Sequence, residues 1–285
     1  MRYKVNHTTR YSYSQAVFFE PHLFRMRPRS DVSQRLDNFS LVLHPQPVGL
    51  SHGLDVENNA FCLAWFEGLF DSLEITCSFV VETLRENPFD ALLIGNSVVL
   101  PLSFPDQEQL FLAPYLGHGQ ALEQLDHSAV QGLAEEICQS VRNDPLAFLH
   151  ELNQMLFRQI EKVERTETGI QTIHQTLTQL TGACRDTTVV FMEACRCMNI
   201  PARFVSGCQE GDPEKEEADL HAWAEVYLPG FGWRGYDPTN GLAVADRHIA
   251  YAASALPENA APVAGMFRGT GAAAELQHRI TMIGF

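Results

Sequence analysis

His221-Ala222-Trp223-Ala224-Glu225-Val226-Tyr227-Leu228 followed by Pro229-Gly230-Phe231-Gly232 and Trp233-Arg234-Gly235-Tyr236-Asp237-Pro238 is the stretch on which the fold and the chemistry turn. Its first eight residues alternate as a strand does, with His221, Trp223, Glu225 and Tyr227 on one face. The Pro-Gly-Phe-Gly segment is a turn, and Trp233–Asp237 returns as a second strand. Side chains alternate faces along a strand, so the turn sets whether His221 and Asp237 can meet. A three-residue loop at 229–231 pairs His221 with Thr239 and makes Asp237 its diagonal neighbour, roughly 7–8 Å away between backbones. A strict four-residue loop puts the two on opposite faces.

Upstream, Thr181-Gly182-Ala183-Cys184-Arg185-Asp186 leads from a Gly-containing turn into an apolar-periodic run, Cys184–Met198, through Val189, Val190, Met192, Ala194 and Cys195. Cys184 therefore falls in the first turn of a helix. Free backbone N–H groups and the helix dipole there favour an anion. They lower a thiol's pKa and can hold an oxyanion formed beside the sulfur. If the hairpin brings His221 to this thiol, His221 takes its proton and later protonates a leaving amine. Asp237 then fixes the imidazole tautomer and stabilises the imidazolium. Asp186 reads as a helix-start acid in harmony with the dipole.

Working outward, the residues before this core change period. Ser128–Arg142 carries Val130, Leu133, Ile137 and Val141 at helical spacing, and Pro145–Val163 starts with a proline after the cap candidates Asn143 and Asp144. Thr172–Gln179 predicts a further short helix. The first hundred residues predict strands instead: Tyr3–Tyr13, with Val5, His7, Thr9, Tyr11 and Tyr13 on one face, then Leu41–Leu43, Ala60–Phe66 and Leu73–Val81. Prolines 88, 101, 105 and 114 exclude long elements between about Arg85 and Gly119. The expected class is α+β: a β-rich antiparallel sandwich over 1–110, then helices followed by strands over 111–285, ending in Leu276–Ile283.

The chain has 285 residues, 45% hydrophobic and 19% charged, with a formal net charge of −15. Such an acidic protein lacks the basic face that nucleic acid requires. No apolar run reaches the roughly 18 residues of a membrane helix, and the first residues do not form a signal-peptide pattern. A cytoplasmic location is expected, with no membrane partner. Most of the seven cysteines, an odd number, are expected to be thiols there. Cys195, Cys197 and Cys208 lack the spacing of a zinc knuckle. Glu210–Asp219 is an acidic loop without the regularly spaced oxygens and turn glycine of a calcium site, so no metal or other cofactor is expected.

Three segments in combination, Gly182–Asp186, His221–Tyr227 and Gly232–Gly241, resemble the core of the transglutaminase-like family, as does the linking Asn199-Ile200-Pro201-Ala202-Arg203-Phe204-Val205-Ser206-Gly207. Tyr3–Tyr13 with Pro28-Arg29 is similar to the β-rich N-terminal region of bacterial members. Arg247-His248-Ile249 and Pro262–Gly269 resemble their C-terminal end. The resemblance implies a papain-like core, a helix-borne Cys against an antiparallel sheet, with a Cys184–His221–Asp237 triad. It implies a cysteine peptidase or amidase working through an acyl thioester on a peptide or protein amide. The alternatives are an amine-transferring transglutaminase and a non-catalytic peptide-binding module. Thr187-Thr188 replaces the aromatic and small pair of many relatives. No Trp precedes Cys184 in the helical segment where animal transglutaminases keep an oxyanion-hole Trp. The oxyanion donors expected are the Cys184 backbone and Gln179, and Trp223 is a candidate for shielding the site or touching substrate.

Overall fold

The computed structural model describes residues 1–95, 98–117, 124–165, 169–211, 217–269 and 271–285. The strands of the N-terminal part are β1 (Arg2–Phe19), β2 (His22–Phe24), β3 (Gln34–His44), β4 (Gly49–Leu54), β5 (Ala60–Trp65) and β6 (Phe70–Thr83). Their cause is visible in the side chains. On β1, Tyr3, Val5, His7 and Thr9 are buried while Arg2, Lys4, Asn6 and Arg10 are exposed, the two-residue period of a half-buried sheet. β6 alternates in the same way from Leu73 to Val81. β1 lies between β6 and the last strand, β6 pairs on its far side with β3, and β2, β4 and β5 belong to a separate four-stranded sheet. Phe19, Phe24, Cys62, Ala64 and Phe66 share one apolar core with Leu73 and Ile75.

The helices follow: α1 (Asp106–Leu112), α2 (Gln124–Ser140), α3 (Pro145–Gln159), α4 (Ile173–Gln179) and α5 (Cys184–Cys197), with the short strands β7 (Glu161–Lys162) and β8 (Thr181–Gly182) pairing in parallel. The cap of α3 is one the sequence predicts, and that of α4 is supplied by Thr172, the first residue of the helix expected over Thr172–Gln179. Asp144 accepts from the Ala147 N–H at 2.7 Å with Pro145 at the first helical position, and Thr172 and Gln175 form a capping box on α4. α5 is central. Val190, Phe191, Met192, Ala194 and Cys195 are fully buried against α2, α3 and the strands behind. Its last turn is tied down by Arg196, which donates to the carbonyls of Tyr115, Ala202 and Ala255 at 2.8–3.1 Å.

The C-terminal strands are β9 (Ala202–Glu210), β10 (Glu217–Leu228), β11 (Gly232–Asp237), β12 (Leu242–Ala243), β13 (His248–Ser254), β14 (Val263–Ala264), β15 (Phe267–Arg268) and β16 (Ala274–Gly284). β10 pairs with β9 on one side and β11 on the other, and β9 pairs onward with β13. Ala222, Ala224, Val226 and Leu228 pack under the helices, which leaves the odd-numbered face for the site. β16 leaves this region and runs antiparallel to β1 over eleven register positions, from Tyr3↔Gly284 to Tyr13↔Ala274, while touching β10 at Glu217 and Ala218. Ten strands thus form one sheet across the sequence position near 110 where a boundary is expected, and β14 likewise joins β2. The fold is α+β, and among the described residues every ladder is antiparallel except β7–β8.

Candidate active site

The hairpin register answers the condition set by the sequence. Leu228 pairs with Gly232, Tyr227 with Trp233 and Ala224 with Tyr236, so the loop is the three residues Pro229-Gly230-Phe231. Gly230 and Gly232 adopt φ of +89° and +65°, conformations that favour glycine. Extending the register sets Asp237 opposite Trp223, one diagonal step from His221. The side chains close that step: His221 Nε2 donates to Asp237 Oδ2 at 2.8 Å, both residues being buried.

Cys184 occupies the first position of α5, after the N-cap Ala183. Ala183 has no side chain to cap with. The helix start is held instead by Asp186, whose carboxylate accepts the Ala183 N–H at 2.9 Å. Asp186 also accepts Arg165 Nη1 at 2.7 Å to each oxygen and the Gln171 N–H at 2.8 Å, with its side chain fully buried. The helix-start acid is therefore also the anchor that holds the segment before α4 against the turn carrying the thiol. Arg185 turns away and donates to the Gly169 carbonyl at 2.8 Å.

The Cys184 sulfur is hydrogen-bonded to the His221 ring and to the Ala222 backbone. Since His221 Nε2 is engaged by Asp237, Nδ1 is the nitrogen available to the thiol. Burial alone raises a thiol's pKa, but the hydrogen bond and charge of His221 outweigh it, and Cys184 is held below the usual thiol range. Burial likewise pulls His221 down, yet its bonds to Asp237 and Cys184 carry it up to about 9. Burial opposes the ionised Asp237, and the donors His221 and His248 reverse that, holding the carboxyl far below its ordinary range. The three groups together favour a thiolate–imidazolium pair beside a carboxylate.

Asp237 has more partners than the sequence predicts. Oδ1 accepts the N–H groups of Thr239 and Asn240 at 3.1 and 3.2 Å, an Asx-type turn that the Asp-Pro-Thr-Asn run could have signalled. Oδ2 accepts from His221, from Asn240 Nδ2 at 2.9 Å and from His248 Nε2 at 3.1 Å. Asn240 in turn donates to Gln209 at 2.8 Å. His221, Asp237 and His248 offer potential metal-ligand atoms within 4.8 Å of one another. Both Nε2 atoms, however, carry protons directed at Asp237, so the donor set as arranged serves hydrogen bonding. A cleft of about 300 Å³ lies beyond Asn240 and Gln209, walled by Lys162, Asp219, Leu242 and Arg247, and Cys184 does not line it.

Trp223 is 1% exposed, its ring 6.3 Å from that of His221 and 5.2 Å from that of His248. It packs on the imidazoles and presents no face to solvent, a placement that suits shielding and leaves no ring surface for substrate. Gly207 on β9 makes room for it: a Cβ there would lie 2.7 Å from the Trp223 ring and 2.1 Å from the Ile249 carbonyl. Gln179 is exposed at the end of α4, its side-chain oxygen taken by Gln171 at 3.0 Å. Of the acidic loop, residues 212–216 lie outside the described residues. Glu210 and Glu217–Asp219 belong to β9 and β10.

Glu225, two residues beyond Trp223 on the same face, is buried between Arg29 (2.6 Å) and Arg203 (2.6 Å). Burial opposes its charge, but the two guanidinium groups prevail and hold it far below the carboxylate range. Arg29 thereby ties the N-terminal part to the strand that carries His221.

All seven cysteines are unbridged. Among the described residues no helix is long and apolar enough to cross a membrane.

Residues 3–82 match the family described as the bacterial transglutaminase-like N-terminal region, and residues 131–238 match the transglutaminase-like superfamily core. An uncharacterized protein of Mycobacterium tuberculosis is 24% identical over 260 residues, 87% of this chain and 82% of that protein. One of Mycobacterium leprae is 30% identical over 111 residues, so the match spans 36% of this chain and little more than a third (37%) of that relative. A solved structure of a candidate cysteine protease from Cytophaga hutchinsonii shares the fold with a TM-score of 0.69 at 16% identity, over 99% of this chain and 98% of that one. The second match contains the helix bearing Cys184 and the hairpin bearing His221 and Asp237, and the chain belongs to the transglutaminase-like superfamily, with the bacterial N-terminal region ahead of its core.

Proposed function

We propose that the protein is a cysteine-dependent amide-bond hydrolase, a peptidase or amidase, using Cys184, His221 and Asp237 as its triad. One observation carries this: a buried imidazole bonded on one side to a helix-start thiol and on the other to a buried carboxylate. Cys184 Sγ attacks the amide carbon, the C–N bond breaks, and His221 Nδ1–H protonates the departing amine. The acyl group rests on sulfur as a thioester. Water, deprotonated by His221, then releases the acid and restores the thiol. The Cys184 N–H, at the first helical position and without an intrahelical acceptor, supports the oxyanion. Its second donor is left unassigned by the position of Gln179. The unbridged cysteines suit a reducing compartment, and we assign the protein to the cytoplasm.

The test is a peptide and amide library turned over by the full chain with and without hydroxylamine, with Cys184→Ala as control. Free acid alone is the expected product. Hydroxamate as the main product would make the enzyme an amine transferase. Turnover surviving in Cys184→Ala would end the triad assignment. A wild-type chain that binds peptides without turnover, with Cys184 alkylating no faster than a free thiol near pH 6, would make it a binding module.

A further inference from the structure

Asp237 Oδ2 receives two imidazoles. His221 reaches it from β10 and His248 from β13, at 2.8 and 3.1 Å, and both rings are nearly or wholly shielded from water. The two rings are 6.2 Å apart, with Trp223 packed on both. His248 makes no contact with the thiol among the described interactions, so anything it does for catalysis acts through the carboxylate. Four other donors already hold Asp237: two backbone N–H groups on Oδ1, and Asn240 Nδ2 and His221 on Oδ2. Its orientation is therefore over-determined. What His248 changes is how much of the carboxylate's charge is left for His221.

We propose that His248 is a positioning residue of the triad that tempers Asp237, sharing its Oδ2 so that the bond to His221 is strong enough to orient the ring but leaves the imidazolium able to release its proton. This rests on the triad reading above. A carboxylate stripped of one donor binds its remaining donors more tightly, and a cation bonded to it gives up its proton at higher pH. Too tight a hold would stabilise the thiolate–imidazolium pair and slow proton delivery to the leaving amine.

The far side of His248 is also arranged. His248 Nδ1 and Trp223 Nε1 are both buried without a hydrogen-bond partner, and both residues line a cavity of about 20 Å³. That volume holds one water. A water there would accept the indole N–H and donate to Nδ1, keeping the His248 proton on Nε2, facing Asp237. The charged and titratable groups around this assembly are Cys184 from α5, His221 and Glu225 from β10, and Arg29 and Arg85, which line the same cavity. Glu225 is paired at 2.6 Å with both Arg29 and Arg203, and Arg29 also lies 3.6 Å from Asp31.

The experiment uses the full chain with ¹⁵N-labelled histidine. His221 and His248 signals are assigned by single substitutions, and the midpoint of His221 deprotonation is measured by NMR. His248→Leu is expected to move that midpoint up by about half a pH unit or more, and His248→Gln, which keeps an N–H donor, to bring it back to the wild-type value. An unchanged midpoint in folded His248→Leu, or a shift that His248→Gln fails to restore, overturns the proposal. If His248→Leu does not fold, the wild-type spectrum decides alone: a His248 proton on Nε2 at low field supports the proposal, and one on Nδ1 refutes it. Failure of the underlying reading looks different. In that case wild-type His221 titrates as a free imidazole and Cys184 alkylates as an ordinary thiol, whatever stands at 248.

Discussion

Two buried histidines in two parts of the molecule titrate in opposite directions. His7, on β1 in the N-terminal part, is 1% exposed, with Nε2 3.1 Å from the Thr9 hydroxyl and its ring 6.3 Å from Tyr251. Burial, with a smaller contribution from His278, pulls its pKa down to about 4. His221 is 3% exposed and suffers the same desolvation, yet stands at about 9. The difference is the carboxylate of Asp237 and the thiol of Cys184. Burial removes an imidazole's charge by default, and only a paired anion reverses it. The surroundings of His7 favour a neutral core imidazole, whereas the helix–hairpin junction favours the charged form of His221.

The sharpest way to break this contrast is Asp237→Asn, which gives His221 a neutral neighbour like that of His7. Amide turnover should fall by roughly 10³- to 10⁴-fold, and Cys184 should alkylate at pH 6 no faster than a free thiol. Unchanged alkylation would mean that the carboxylate does not set the imidazole's charge.

Glu225→Ala tests whether the two regions depend on each other. It removes the buried carboxylate that the half-buried Arg29 and Arg203 share, leaving Arg29 with Asp31 at 3.6 Å and Arg203 over the Trp233 ring, and should cost about 3 kcal/mol in urea unfolding. Because the folded pKa of Glu225 is depressed, its stabilising contribution is present above about pH 4.5 and is lost as the pH falls below that. The wild type should therefore lose stability in acid more steeply than Glu225→Gln.

His7 makes a signed prediction of its own. Between pH 6.5 and about 4 the unfolded chain binds a proton there that the folded chain does not. Stability should fall by up to about 3 kcal/mol as the pH drops across that window. His7→Phe should flatten this slope, measured by urea denaturation at pH 7 and 4.5, and an equal slope in both proteins would refute the assigned desolvation. The smallest effect is expected from Gly207→Ala. Its methyl group meets the Ile249 carbonyl and the Trp223 ring and should cost about 1–3 kcal/mol, with a loss of turnover if the Trp223 packing shifts His221.

Much of the site follows from local patterns. The parity of the 229–231 loop, the alternation through His221 and Asp237, and the apolar period that begins at Cys184 are short-range features, set by backbone sterics and side-chain period. Four short strands are not legible in the sequence: β2, three residues beside Pro21; β4, whose two glycines and polar residues lack a clear alternation; and the two-residue β7 and β8, of which β7 falls inside the helix expected over Pro145–Val163, which ends at Gln159. His248 was visible as part of a C-terminal resemblance, but nothing near it in sequence indicates that it donates to Asp237. That contact arises because β13 pairs with β9, which pairs with β10. Gln209 was equally silent, since its role depends on Asn240 across the sheet edge.

The sequence by itself determined the α+β class, the helix-start position of the thiol and the condition under which His221 and Asp237 share a face. These depend on period, capping and turn chemistry, which act within a few residues. Only the tertiary structure decided that β16 joins the N-terminal strands to β10, that Arg29 reaches Glu225, and that Asp237 serves two histidines. An alternating strand specifies which face it buries but not which edge it joins, so contacts made across strand partners are settled only when the whole sheet assembles.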